Sequence, residues 1–338
     1  MNALRSELRS KWREAELAGT SDREWRGVAL SVEAPLAILA GIREPDGRIA
    51  LLLEAPIDAA PRLPLHFRAD GVSLADQRRT DEGIFRAAVT LEHDELRDIF
   101  EVLAVDLIEV IRSAPTAVKA VSEASRRLDA WQACLRTRRL GLSREEQTGL
   151  IGELAVLRLV AAEIGYPLAV DSWEGPLDGI HDFKRLGVAL EVKTVVGISQ
   201  LLHVSHLGQL ENTGLDALAI VRARFRETQD GKSVSQVVHE IRDEIRNLAP
   251  FALADFEDKL LRVGYLDADS DLYGATRFAP VELHGIMVAE GFPRLTPTSV
   301  PAGILDASYI IDERTVAGLR LNTDEFKSLL LRMAGPRL

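Results

Sequence analysis

One cysteine, Cys134, stands in a chain of 338 residues. An internal disulfide is therefore excluded, and no cysteine–histidine spacing of the zinc type is present. A reducing, cytoplasmic setting is the expectation. Aromatic residues are also scarce, at 5%, although hydrophobic residues in total reach 46% and can fill real cores. No uninterrupted apolar run approaches the roughly eighteen residues of a membrane-spanning helix. Met1 to Arg13 is charged and has no apolar stretch, so neither a membrane span nor a signal peptide is expected. Positive charge is the last deficit. Lys and Arg number 41 against 52 Asp and Glu, a net charge of −11. Phosphate attraction supplies most non-specific nucleic-acid affinity. A chain this acidic would need a local basic groove, or a partner subunit, to hold a polyanion. Repeats, low-complexity tracts, a Walker loop, a Gly-rich dinucleotide turn and a Ser/His/Asp signature are all missing.

What is present concentrates in Gly187-Val188-Ala189-Leu190-Glu191-Val192-Lys193-Thr194. Its period of two predicts a strand. Val188, Leu190 and Val192 point to one side, and Ala189, Glu191 and Lys193 to the other. Arg185-Leu186-Gly187 predicts a turn, and Asp182 precedes it, nine residues before Glu191. Two carboxylates and a lysine from neighbouring strands make a site for a hard cation with a charged group beside it. A Glu-x-Lys triplet occurs roughly once by chance in a chain this long. Glu257-Asp258-Lys259 and Glu325-Phe326-Lys327 are such copies. Both fall in helical stretches without an upstream strand Asp, and both read as solvated helix surface.

A third carboxylate comes from upstream. Ser143 and Glu146 form a capping box, which starts a helix running to about Ile164. Leu150, Leu154, Leu157, Ala161 and Ile164 make its apolar face, with Glu153 at the edge of that face. Downstream, Leu201 to Ser205 predicts a strand, and a short helix that includes Gln209 follows. Ala217 to Val221 then runs into Arg222, Arg224 and Arg226, which alternate and share one strand face. That row reads either as a solvated sheet edge or as phosphate contacts. Arg136, Arg138, Arg139 and Arg144 form a second basic group before the core helix. His203 and His206 lie near these strands and read as packed or surface residues rather than ligands.

The order helix, strand, turn, strand, strand, helix, strand, with Glu153, Asp182, Glu191 and Lys193 in place, resembles the PD-(D/E)xK nuclease superfamily. His181 stands where that motif has Pro, which is not a ligand. More narrowly, Gly149 to Glu211 resembles the bacterial "PD-(D/E)XK motif proteins", often encoded beside restriction or phage-defence genes. Gly-Leu-Ile-Gly-Glu-Leu, Trp-Glu-Gly-Pro, His-Asp-Phe and Leu-Glu-Val-Lys-Thr carry the likeness. The resemblance implies an α/β (α+β) fold with a restriction-endonuclease-like core, a mixed central sheet flanked by helices. It implies a Mg2+-dependent endodeoxyribonuclease, with Mn2+ able to substitute. Asp182, Glu191 and the Val192 carbonyl would bind the metal, and Glu153 would hold a second ion or a water. Lys193 would serve as an electrostatic group rather than a general base, since two carboxylates favour its ammonium. Double-stranded DNA, other defence-system subunits and a second copy of the chain are the expected partners, with no membrane. The superfamily also has inactive members, so the rival reading is a catalytically dead nuclease-fold scaffold in a defence complex. An RNase or structure-specific nuclease is a third.

The flanks carry no readable chemistry. Residues 1 to about 18 predict a helix, and about 28 to 92 predict strands with a hairpin at Pro45-Asp46-Gly47. Two helices follow, interrupted at Pro115. After the core, helices are expected over 233–248 and 251–261, strands over 281–288 and 307–311, and a helix from Thr323. Three modules result: an N-terminal β-rich and helical one over 1–136, the nuclease core over 137–230, and an α+β module over 231–338.

Overall fold

Alternating apolar residues and tight turns build the first half of the chain into one antiparallel sheet. In the computed structural model, which describes residues 2–19, 24–62, 65, 67–69, 71–137 and 141–335, helix α1 (Asn2–Leu17) precedes β1 (Trp25–Ala29) and β2 (Ala37–Arg43). The Pro45-Asp46-Gly47 turn leads to β3 (Arg48–Pro56), and β4 (Arg68–Ala69), β5 (Val72–Arg79) and β6 (Ile84–Leu91) complete the set. The sheet order is β1-β2-β3-β6-β5-β4. Two helices close the unit, α2 (Arg97–Arg112) and α3 (Ala117–Thr137). Trp12 of α1 is fully buried, and its indole N–H donates to the Ala50 carbonyl at 2.8 Å. Buried Glu101 of α2 takes Arg5 and Arg9 of α1 at 2.6 Å each. These helices are joined by charge as well as by packing.

The second compact unit runs from residue 139 to the end. Ser143 and Glu146 exchange the two hydrogen bonds of a capping box and start α4 (Arg144–Ile164). After α5 (Tyr166–Ser172) come β7 (Phe183–Arg185) and β8 (Val188–Val196), paired antiparallel. Leu186 and Gly187, both at positive φ, make the two-residue turn between them. Next are β9 (Leu201–Val204) and the long β10 (Ala217–Lys232), followed by α6 (Val234–Leu248), α7 (Leu253–Arg262) and the single turn α8 (Ser270–Tyr273). Strands β11 (Phe278–Met287) and β12 (Tyr309–Asp312) precede the last helix, α9 (Thr323–Arg332).

The central sheet has the order β11-β10-β8-β7 and is mixed. β10 runs parallel to β8 and antiparallel to β11. One face packs on α4, α6, α7 and α9, through Leu154, Val188, Leu190, Val221, Ile241, Phe256 and Leu329 among others. The opposite face meets the β9·β12 pair and its loops, through Ala189, Leu202, Leu218, Ile220 and Ile311. Residues 231–338, which the sequence sets apart from 137–230, thus share its sheet and its apolar core. Among the described residues, no helix is long and apolar enough to cross a membrane.

Candidate active site

Strand β8 lies between β7 and β10, so both of its edges are paired, and elements above and below the sheet cover both of its faces. Val188 and Leu190 enter the helical core as their period requires. The other side, read from the sequence as a polar face, is covered as well. Ala189 is fully buried, Glu191 is 3% exposed and the Lys193 side chain 11%. β9 and β12, which close over this side, come from outside the local pattern, and the strand's alternation could not reveal them.

The charged residues converge where β7 begins. Asp182 directly precedes β7, and its Oδ2 accepts the Val192 N–H at 2.7 Å. Its own carbonyl accepts the N–H groups of Glu174 and Gly175, at 2.8 and 3.0 Å. Lys193 Nζ donates to Glu191 Oε1 at 2.8 Å and to Gln209 Oε1 at 3.0 Å. Gln209 Oε1 also takes the Ser205 N–H at 2.8 Å. Gln209 thereby ties Lys193 to the β9 end. From α4, Glu153 Oε2 accepts the Trp173 indole N–H at 2.7 Å.

A methyl group at Gly175 would stand 3.0 Å from Glu153 Oε2 and 3.2 Å from Asp182 Oδ1. The absent side chain leaves a small space faced by an oxygen of each carboxylate. Burial, and then the neighbouring Asp182, raise the Glu191 carboxyl to about 8. The same two causes in the same order raise Glu153, and burial raises Asp182. Ionised together, three carboxylates would exceed the one lysine beside them, which is why they hold their protons, and their oxygen donors suit a hard cation that displaces those protons. Among the described residues, no three Asp, Glu, His or Cys side chains form a cage for an ion by themselves. An ion of the magnesium type does not need one. It binds through one or two carboxylates and completes its octahedron with water, carbonyl and phosphate oxygens. Asp182, Glu191 and the Val192 carbonyl fit that pattern, with Glu153 beside them.

Residues 8–313 match the family model described as "Putative PD-(D/E)XK family member, (DUF4420)". The chain belongs to the DUF4420 family. No curated protein and no solved structure matches it. The match spans both units of this DUF4420 member, from within α1 to the residue after β12.

Two supports of the site in this DUF4420 chain have roles that the sequence does not assign. The first is the Trp173 indole, stacked at 6.5 Å on Phe183. The second is Lys259. Its triplet reads as solvated helix surface, yet Lys259 is only 7% exposed. Its ammonium donates to the carbonyls of Val170, Trp173 and Asp171 at 2.5, 2.6 and 3.2 Å. It thus closes the end of α5 and fixes the loop that carries the indole. Burial lowers this lysine to about 8. The other triplet is surface, with Glu325 capping α9 and Lys327 near Glu163.

The arginine row shares one sheet face, as its alternation requires, but it is not one open surface. Arg222 is 3% exposed and pairs with Glu313 at 3.0 Å, and it donates to the Ser199 carbonyl at 2.8 Å. It is inaccessible because β10 is an interior strand roofed by the segment after β12. Arg224 is half-buried and pairs with Glu282. Arg226 is exposed. In the other basic group, Arg136 is exposed and Arg144 pairs with Glu227. Arg138 and Arg139 lie outside the described residues.

Proposed function

We propose that this DUF4420 member is a Mg2+-dependent endodeoxyribonuclease that hydrolyses phosphodiester bonds of double-stranded DNA in a bacterial restriction or phage-defence system, with Mn2+ able to replace Mg2+. The observation that carries the reading is the meeting of Glu153, Asp182, Glu191 and Lys193 at the start of β7. A divalent cation bound there supplies Lewis acidity at the scissile phosphate. Asp182 and Glu191 hold it, with the Val192 carbonyl as a further ligand. Lys193, steadied by Gln209, offers positive charge where negative charge grows on the phosphate. Trp173 orients Glu153 toward the same space. Val192 contributes twice, through its carbonyl and through the N–H that aims Asp182.

The rival reading, an inactive scaffold subunit, gains from the engagement of Arg222 and Arg224 by glutamates and from the net charge of −11. The same facts favour a partner subunit that holds the DNA for an active chain. The test is incubation of the purified protein with supercoiled plasmid, with and without Mg2+, alone and with the products of neighbouring genes. RNA is run in parallel. Metal-dependent nicking that Lys193→Ala abolishes, in a variant whose circular dichroism spectrum still shows the native fold, is the expected result. Absence of cleavage under every condition would leave the scaffold reading.

A further inference from the structure

Beside the candidate active site lies a cavity of about 210 Å³, lined by Arg222, Arg224, Arg320, His284, Glu282 and Glu313. Arg314 also lines it but is held by Asp312. The cavity occupies the sheet face that carries Glu191 and Lys193. Register places Lys193 of β8, Arg222 of β10 and His284 of β11 in one row across three strands. The next row contains Val195, Arg224 and Glu282. Strands lie about 4.8 Å apart and rise about 3.3 Å per residue, which puts Arg224 about 8 Å from Lys193 in backbone position. That separation is on the scale of neighbouring phosphates along one strand.

The cations in the cavity are held by groups of the same chain, mainly the Glu282 and Glu313 carboxylates, with the Ser199 carbonyl as a further acceptor for Arg222. Glu282 alone takes both Arg224 and Arg320, which hold its carboxyl down to about 2. Glu313 takes Arg222 at 3.0 Å and His284 Nε2 at 3.1 Å. The other ring nitrogen of His284, Nδ1, is buried and has no hydrogen-bond partner. Its nearest carboxylate oxygen, on Glu282, is 3.8 Å away. Two guanidiniums converging on one oxyanion is the geometry that recognises a phosphate group. A buried polar atom left over beside it is unusual in a finished ion-pair network.

We propose that this cavity is a phosphate subsite, in which a phosphate takes the place of the Glu282 carboxylate between Arg224 and Arg320. Its source is the strand whose scissile phosphate lies at Lys193, a point that rests on the nuclease reading. Glu282 is then an internal competitor. Its removal strengthens binding instead of merely breaking an ion pair.

The test uses the full chain with a short DNA duplex and Ca2+ in place of Mg2+, and reads binding by fluorescence anisotropy over a range of salt. Arg224→Gln with Arg320→Gln is expected to weaken binding about tenfold across sequences and to flatten the salt dependence by about one unit of slope. Glu282→Gln is expected to bind several-fold tighter than wild type, which a purely structural role for Glu282 would not produce. Unchanged affinity in both variants overturns the subsite. Inorganic phosphate is the second probe, read by thermal shift. Stabilisation of the wild type that grows in Glu282→Gln, without duplex binding, supports a subsite for free phosphate and removes the strand as its source. No stabilisation by phosphate and no duplex binding overturns the subsite altogether. Plasmid cleavage is scored separately, so a cavity that binds phosphate in a protein that never cuts sinks the nuclease reading alone.

Discussion

Glu191 lies almost wholly out of water, next to a second carboxylate and a single ammonium, and holds its proton up to about pH 8. An unfolded glutamate titrates at roughly 4.3. The folded protein therefore binds this proton more tightly than the unfolded chain. The associated stability is complete below about pH 4 and is lost as pH rises through about 8. Glu191→Gln is expected to melt above wild type at about pH 9 in chelator, with the gap closing toward about pH 5. A gap that does not change with pH would mean that ionisation of Glu191 is not the cause. The charged residues at this site were legible because they depend on short-range rules: a period of two, one turn, one helix edge. Lys259 was not, because its carbonyl partners lie 86 to 89 residues away and no helical period reports what faces a helix.

Among the elements, α4 bears most directly on the site, since it carries Glu153 and presses on β8. Its start, its apolar face and the β7–β8 hairpin were all readable in local sequence. The closeness of the contact was not. A methyl at Gly152 would come within 1.8 Å of Thr194 Oγ1 on β8, whereas one at Gly149, a turn earlier, meets nothing within 4 Å. Gly152→Ala is expected to destabilise by about 1–3 kcal/mol, through overpacking. Gly149→Ala is expected to stabilise by about 0.5–1 kcal/mol, through helix propensity. Urea unfolding of both variants measures the contrast, and equal effects would refute the close helix–strand contact. The fate of the arginine row was hidden for a related reason. Alternation puts Arg222, Arg224 and Arg226 on one face, but only the sheet order makes β10 interior, and only the segment after β12 brings Glu313 onto Arg222.

Over the whole molecule, all four charged residues and their supports, Trp173, Gln209 and Lys259, fall in the unit 139–338. That unit has its own core, and residues beyond 230 are part of it. Val238, Ile241, Phe256, Leu260 and Leu329 pack with Leu154 and Val188. A fragment of residues 139–338 is expected to unfold in one cooperative transition and, on the metal-site reading, to match the full chain in Mn2+ binding. A fragment ending at 230 loses β11 and the helices behind the sheet, and is expected to remain unfolded. Circular dichroism melts and Mn2+ calorimetry check both, and a stable 139–230 fragment would show that the later elements are accessory. A division at 230 cuts through a shared sheet and core, because composition does not register which segments complete a sheet.

The Asp182 carboxylate has two oxygens, and the backbone has already claimed one. Oδ2 takes the Val192 N–H, which leaves Oδ1 turned to the space beside Gly175. An amide in its place can keep the bond to Val192 only through its oxygen, so its NH2 must occupy the direction of Oδ1. Donor hydrogens would then point at the position of a cation. The most conservative substitution, Asp182→Asn, becomes a plug rather than a softened ligand. It is expected to melt as wild type does while Mn2+ binding, followed by calorimetry, disappears. A variant of that kind keeps its shape and loses its ligand atom, and on the nuclease reading it is a means of trapping uncut substrate on an otherwise native surface.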